Sequence, residues 1–103
     1  MKQGDRLYVK IRHRKYYKNA TVHVCVGEVI QETNYYIKVR GVTYSFKDDD
    51  PKISPEGVFW IPWAGIAVVE ELPNTTEWRK LRFKVCGMDL VLVDEANNII
   101  DRF

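Results

Sequence analysis

Gly27-Glu28-Val29-Ile30-Gln31-Glu32-Thr33-Asn34-Tyr35-Tyr36-Ile37-Lys38-Val39, followed after a charged loop by Val58-Phe59-Trp60-Ile61-Pro62-Trp63-Ala64-Gly65-Ile66-Ala67-Val68-Val69, is the part of the chain that decides the fold. The first half reads as a strand, a polar turn at Asn34 and a second alternating strand. The second half starts as a strand, tightens at Pro62–Gly65 and resumes as a strand. A glycine that lets a strand bend, followed by a short meander, is how a small sheet curls into a barrel. Small closed barrels commonly serve as binding platforms, so the stretch points to adhesion and away from catalysis.

Upstream, Leu7, Val9 and Ile11 alternate with Tyr8, Lys10 and Arg12, a half-buried first strand with the second set facing outward. Arg12-His13-Arg14-Lys15-Tyr16-Tyr17-Lys18-Asn19 breaks the alternation and is too basic to bury, so it reads as a loop or strand end. Val22, Val24 and Val26 restore an inward face, with His23 and Cys25 opposite. Beyond Asn34, Ile37 and Val39 point inward. Val42, Tyr44 and Phe46 alternate again, after either a tight reversal at Arg40-Gly41 or a bulge in one continuous strand. Residues 48–57, with three successive acids and two prolines, form the clear loop. The segment 73–81 suits a short helical turn or a loop. Strands over 81–86, 89–93 and 99–102 then complete one all-β domain, a small antiparallel barrel with an additional C-terminal hairpin and room for one short helix.

With 103 residues, 46% of them hydrophobic and 29% charged, the chain suits a single folded domain. Its net charge of +2 conceals strong polarity. Residues 1–47 hold ten basic against three acidic residues, 48–77 one against seven, and 78–103 five against four. The first residues lack the apolar run of a signal peptide, and no apolar stretch is long enough to span a bilayer, so the expected setting is cytoplasmic, without membrane contact. Cys25 and Cys86 are then expected to stay reduced within strands. They lack the spacing of a zinc knuckle, and His13 and His23 do not complete one, so no metal or cofactor is expected. The acidic loop lacks the alternating carboxylates and terminal Glu of a calcium loop. Asn19-Ala20-Thr21 and Asn74-Thr75-Thr76 match the glycosylation pattern by chance if the protein stays in the cytoplasm.

Gly27, Val29, Asn34, Tyr36, Ile37 and Val39, with Phe59, Trp60, Ile61, the break Pro62–Gly65, and Ile66, Val68 and Val69, resemble the two motifs of the Sm-like family. That family of small twisted barrels includes the eukaryotic Sm proteins and the bacterial Hfq type, and shares its devices with SH3-like barrels generally. The resemblance covers under half of the chain and implies the barrel architecture. It does not carry the family's RNA contacts, because Pro62 and Trp63 stand where those lie. The segment before Val22 also has strand alternation in place of an initial helix, and a further hairpin follows Pro73.

For catalysis the residues are poor. Ser45 and Ser54 lack the turn of an activated nucleophile, the carboxylates lie in loops or at strand ends, and no phosphate-cradling glycine loop occurs. Two surfaces remain. Arg12, Arg14, Lys15 and Lys18 flank Tyr16 and Tyr17, and Lys38 and Arg40 extend that surface if their strand lies alongside. Cations that neutralise phosphates beside rings that stack on unpaired bases suit single-stranded RNA or DNA. Alternation places either Trp60 or Phe59 and Ile61 on the core side, and Trp63 sits at a tight break. An exposed tryptophan there is how interface hot spots are presented, which suits a protein partner or a homo-oligomer built through strand edges. The sequence therefore reads as a non-enzymatic binding module, for nucleic acid through the basic-aromatic loop or for protein through Trp60 and Trp63.

Overall fold

The computed structural model describes residues 7–14, 21–46, 52–87 and 89–102. Two antiparallel sheets are built from strands β1 (Tyr8–His13), β2 (Val22–Glu32), β3 (Tyr36–Phe46), β4 (Lys52–Ile53), β5 (Gly57–Pro62), β6 (Ile66–Leu72), β7 (Arg82–Cys86), β8 (Asp89–Val93) and β9 (Ile99–Arg102). The larger sheet runs β4-β3-β2-β1-β6, with β5 also paired to β3; the smaller runs β7-β8-β9. β5 takes the Tyr36–Gly41 half of β3 and β4 takes Tyr44 and Ser45, so two short strands share one long neighbour. The all-β expectation holds. The closed barrel does not, because the six-stranded sheet stays open. The expected C-terminal hairpin is a separate three-stranded sheet, and the short helix is a 3₁₀ turn at Trp78–Lys80.

The larger sheet is apolar on both sides, which explains the second sheet. One face gathers Val9, Ile11, Cys25, Val29, Ile37, Val39, Ile61 and Ile66 into a buried cluster, with Phe59 and Trp63 packed at its margin. Ile37 faces Ile61 and Val39 faces Phe59 across β3 and β5, so the period-2 pattern of the sequence is that of this inner face. The other face carries Tyr8, Val24, Val26, Tyr44 and Leu72, which pack with Trp78, Leu81 and Leu92. Phe83 of β7 meets Tyr44 edge-on at 4.8 Å and Phe46 at 5.0 Å. The buried Tyr44 hydroxyl donates to the Leu81 carbonyl at 3.0 Å, satisfying the polar end of a ring otherwise sealed in apolar surroundings.

Three local expectations meet corrections. Of the two readings at Arg40-Gly41 the continuous strand holds, since β3 runs straight through Gly41, but the irregularity in this hairpin lies on β2, between Val29 and Gln31, and not at Gly41. Part of the acidic segment is strand, since Lys52 and Ile53 pair with Ser45 and Tyr44; residues 47–51 lie outside the described residues. Tyr8 and Lys10 were expected to face outward, but both are buried because β7-β8-β9 covers their side of β1. Lys10 is only 3% exposed: its ammonium donates to the Arg102 carbonyl at 2.8 Å, contacts the Asp101 carboxylate and lies 3.4 Å from Glu70.

Cys25, in the inner cluster, is fully buried, and desolvation pushes its thiol up to about 11. The thiolate is the reactive form. In a Cys86→Ser variant, Cys25 is expected to resist alkylation at pH 8 and to react at the rate of a free thiol once urea unfolds the chain. Equal rates in the two conditions would contradict the burial.

Candidate binding face on β3 and β5

The register of β3 with β5 sets Tyr36 opposite Pro62, Lys38 opposite Trp60 and Arg40 opposite Val58. Since successive side chains alternate, Ile37, Val39, Phe59 and Ile61 turn inward and these six turn the other way. Trp60 is 61% exposed. Its ring stacks on Tyr36, diagonal to it across the strands, with centroids 5.3 Å apart and planes inclined by 29°. The Lys38 ammonium sits 4.6 Å from the Trp60 ring centre, a cation held over an aromatic face. The Tyr36 hydroxyl is anchored by donating to Gln31 Oε1 at 3.3 Å.

Around this platform lie exposed apolar groups and a balanced set of charges. Ile30, displaced by the irregularity in β2, and Val58 are both exposed. Arg40 faces Glu28 across β2 and β3. Glu56 is held by Arg79 in a two-point ion pair, 2.7 Å from Nε and 3.2 Å from Nη2, and the Arg79 hydrogen bond is the main reason its carboxyl lies below the usual range. Arg79 in turn lies over the buried Trp78 ring at 4.2 Å. A groove of about 440 Å³ lies between Leu7 and the Val29–Asn34 hairpin end, and none of the platform residues Tyr36, Lys38, Arg40, Val58 and Trp60 lines it.

The residues expected to act together are only partly brought together. Trp60 is the exposed tryptophan. Trp63, in the 3₁₀ turn Trp63–Gly65, is half-buried, with its indole N–H donating to the Thr33 carbonyl at 2.7 Å. It thus pins the turn after β5 to the β2–β3 hairpin. Lys38 and Arg40 flank Trp60 and are remote from Arg12: Arg12 pairs with Val24, which pairs with Tyr44, four residues or roughly 13 Å further along β3 than Arg40. Arg14 is exposed, and its backbone N–H donates to Gly65 at 2.8 Å. Lys15, Tyr16, Tyr17 and Lys18 lie outside the described residues. In the sequence Tyr36 belongs only to the hairpin motif; its partnership with Trp60 exists through the β3–β5 register, which no local signal encodes.

A second cleft, of about 410 Å³, lies between Pro73–Leu81 and the Asp94–Ala96 turn, and Lys80 spans it by pairing with Glu77 and Glu95. Among the described residues, no three His, Cys, Asp or Glu side chains are grouped to hold a metal ion, and no helix is long and apolar enough to cross a membrane. Comparison of the chain with family models, with curated proteins and with solved structures finds no match.

Proposed function

We propose that this chain is a non-enzymatic binding module of SH3-like or Sm-like organisation whose β3–β5 face takes single-stranded RNA or DNA. The strand order β5-β3-β2-β1-β6, with one 3₁₀ turn linking β5 to β6, supports that kinship although the sheet remains open. The observation that carries the reading is the exposed Trp60 ring, stiffened from one side by Tyr36 and attended by Lys38. An unpaired base that displaces the Lys38 ammonium from the exposed Trp60 ring would stack there without regard to sequence, freeing Lys38 to join Arg40 at the backbone phosphates.

Trp60→Ala tests this. Because the ring is mostly exposed, the substitution is expected to cost less than about 1 kcal/mol of folding stability. Affinity for a fluorescent single-stranded 12-mer at low salt is expected to fall at least about tenfold, the loss of one base–aromatic stack. Lys38→Glu should weaken binding and flatten its salt dependence. Oligonucleotides that fail to bind the wild type at low salt, or that bind Trp60→Ala equally well, would sink the reading.

Exposed Val58, two residues from Trp60 on the same face of β5, favours a second reading, a protein partner docking on that face. Homo-oligomerisation through the edges of β5 and β6 is a further form of it, and a solution mass with and without the oligonucleotide separates these outcomes.

A further inference from the structure

His13, at the end of β1, and His23, near the start of β2, stand beside each other with ring centres 6.3 Å apart and planes at 74°. Arg12 pairs with Val24, so continuing the ladder by one residue brings the two histidines opposite one another. Ser45 of β3, in register with His23, places its Oγ 3.1 Å from His23 Nδ1. With Nδ1–H donating to that hydroxyl, His23 carries its lone pair on Nε2, the arrangement in which a ligating histidine is oriented by an oxygen on its other nitrogen. Among the described residues, the buried His13 Nε2 atom meets no hydrogen-bond partner. A buried ring nitrogen without a partner is costly, and such an atom next to a second imidazole invites a shared ligand.

The geometry points to a binding site for a borderline divalent cation such as Zn²⁺, held by one nitrogen each of His13 and His23, with water at the remaining positions. Imidazole nitrogens suit zinc and its neighbours and discriminate against calcium and magnesium, which take oxygen ligands. With Zn–N bonds of about 2.0–2.1 Å, two imidazoles at a tetrahedral angle stand with centres roughly 5.2 Å apart. The observed separation is about 1 Å wider, within reach of a small side-chain rotation of His23, which is exposed. Both rings must be neutral to bind. Burial, reinforced by the neighbouring His23, already lowers the His13 pKa and favours that form. The site is separate from the Trp60 face and does not depend on nucleic-acid binding.

The test uses tag-free protein titrated with ZnCl₂ alone, followed by calorimetry and by NMR of the histidine ring resonances, with MgCl₂ as the comparison. Saturable binding of Zn²⁺ with one ion per chain, shifts of both His13 and His23 rings, and no response to Mg²⁺ are expected. His23→Gln, exposed and therefore tolerated by the fold, should lower the affinity at least about tenfold; His13→Gln should do the same where circular dichroism shows it folded. Absence of saturable Zn²⁺ binding by the wild type, or unchanged affinity in folded His23→Gln, would overturn the assignment.

Discussion

Gly41→Ala is expected to destabilise the protein by about 3–5 kcal/mol, among the largest effects a single added methyl can have. Gly41 and Gly27 face each other across β2 and β3. A Cβ on Gly41 would stand 2.1 Å from the Val26 carbonyl oxygen and 2.9 Å from Gly27 Cα; one on Gly27 would stand 2.2 Å from the Arg40 oxygen and 2.7 Å from Gly41 Cα. The obstructing atoms are backbone, so no side chain can swing aside. Relief requires parting β2 from β3 in mid-ladder, where each lost hydrogen bond leaves buried groups unpaired. Gly57→Ala supplies the control: its Cβ would meet only Phe59 ring atoms at 4.0 Å, and the change should cost under about 1 kcal/mol. Urea denaturation of both variants decides the matter. Similar losses at the two positions would show that the close approach of the strands is not what Gly41 provides.

Lys10→Met carries the second large effect. The methionine keeps the apolar stem but removes the charge that faces Asp101, Glu70 and the Arg102 carbonyl. Removing one partner of a buried ion pair costs about 3–5 kcal/mol. Since Asp101 is 23% and Glu70 40% exposed, water partly compensates here, and a loss of about 2–3 kcal/mol at pH 7 is expected. Adding Asp101→Leu should restore much of it, because the orphaned carboxylate is then gone as well.

The pH dependence has a definite sign. A hydrogen bond to Asp101, then desolvation, raise the Glu70 carboxyl above its ordinary value against the pull of Lys10. Burial would raise Asp101 too, but hydrogen bonds from Glu70 and Lys10 and the Lys10 charge outweigh it, and its pKa is lowered. Glu70 therefore contributes stability that is full below about pH 4.3, its unfolded value, and fades as pH rises through its higher folded pKa. Asp101 contributes stability present above about pH 3.9, which is lost as pH falls through its lower folded pKa. The cluster is at its best in mildly acid solution, with one proton shared on the Glu70 side. Glu70→Gln, which mimics that state, should flatten the decline that sets in as pH rises above the ordinary glutamate value. An unchanged profile in urea melts of this variant would show that the two carboxyls do not share the proton.

Much of the larger sheet is legible because its inner face obeys local rules. Ile37 and Val39 alternate with Tyr36, Lys38 and Arg40, and Thr33-Asn34 carries the turn signal, with the Thr33 hydroxyl accepting from the Tyr35 and Tyr36 N–H groups at 3.1 Å. Gly27 stands out in the sequence as a place to bend. Its need for a missing side chain comes from Gly41, and that follows only once the register is known. Lys10 illustrates the opposite limit. A lysine on an alternating strand reads as solvent-facing, and nothing near it announces that Asp101 and Arg102 will arrive from the far end of the chain to enclose it. For Trp60, alternation leaves two choices. Its exposure follows from Ile61, which must face Ile37 to complete the inner cluster. The company of Tyr36 and Lys38 then follows from pairing between strands, which the order of residues alone does not encode.

The doubly apolar character of the larger sheet also bears on how the polypeptide is made. Tyr8, Val24, Val26 and Tyr44 have no cover until Trp78, Leu81, Phe83 and Leu92 arrive. During N-to-C synthesis the nascent chain can complete its first hairpins while this surface is still wet and adhesive, a window in which chaperones or neighbouring chains compete for it. Emergence of residues 78–92 from the ribosome closes that window, so a translational pause before that segment would lengthen the interval in which the surface stays bare.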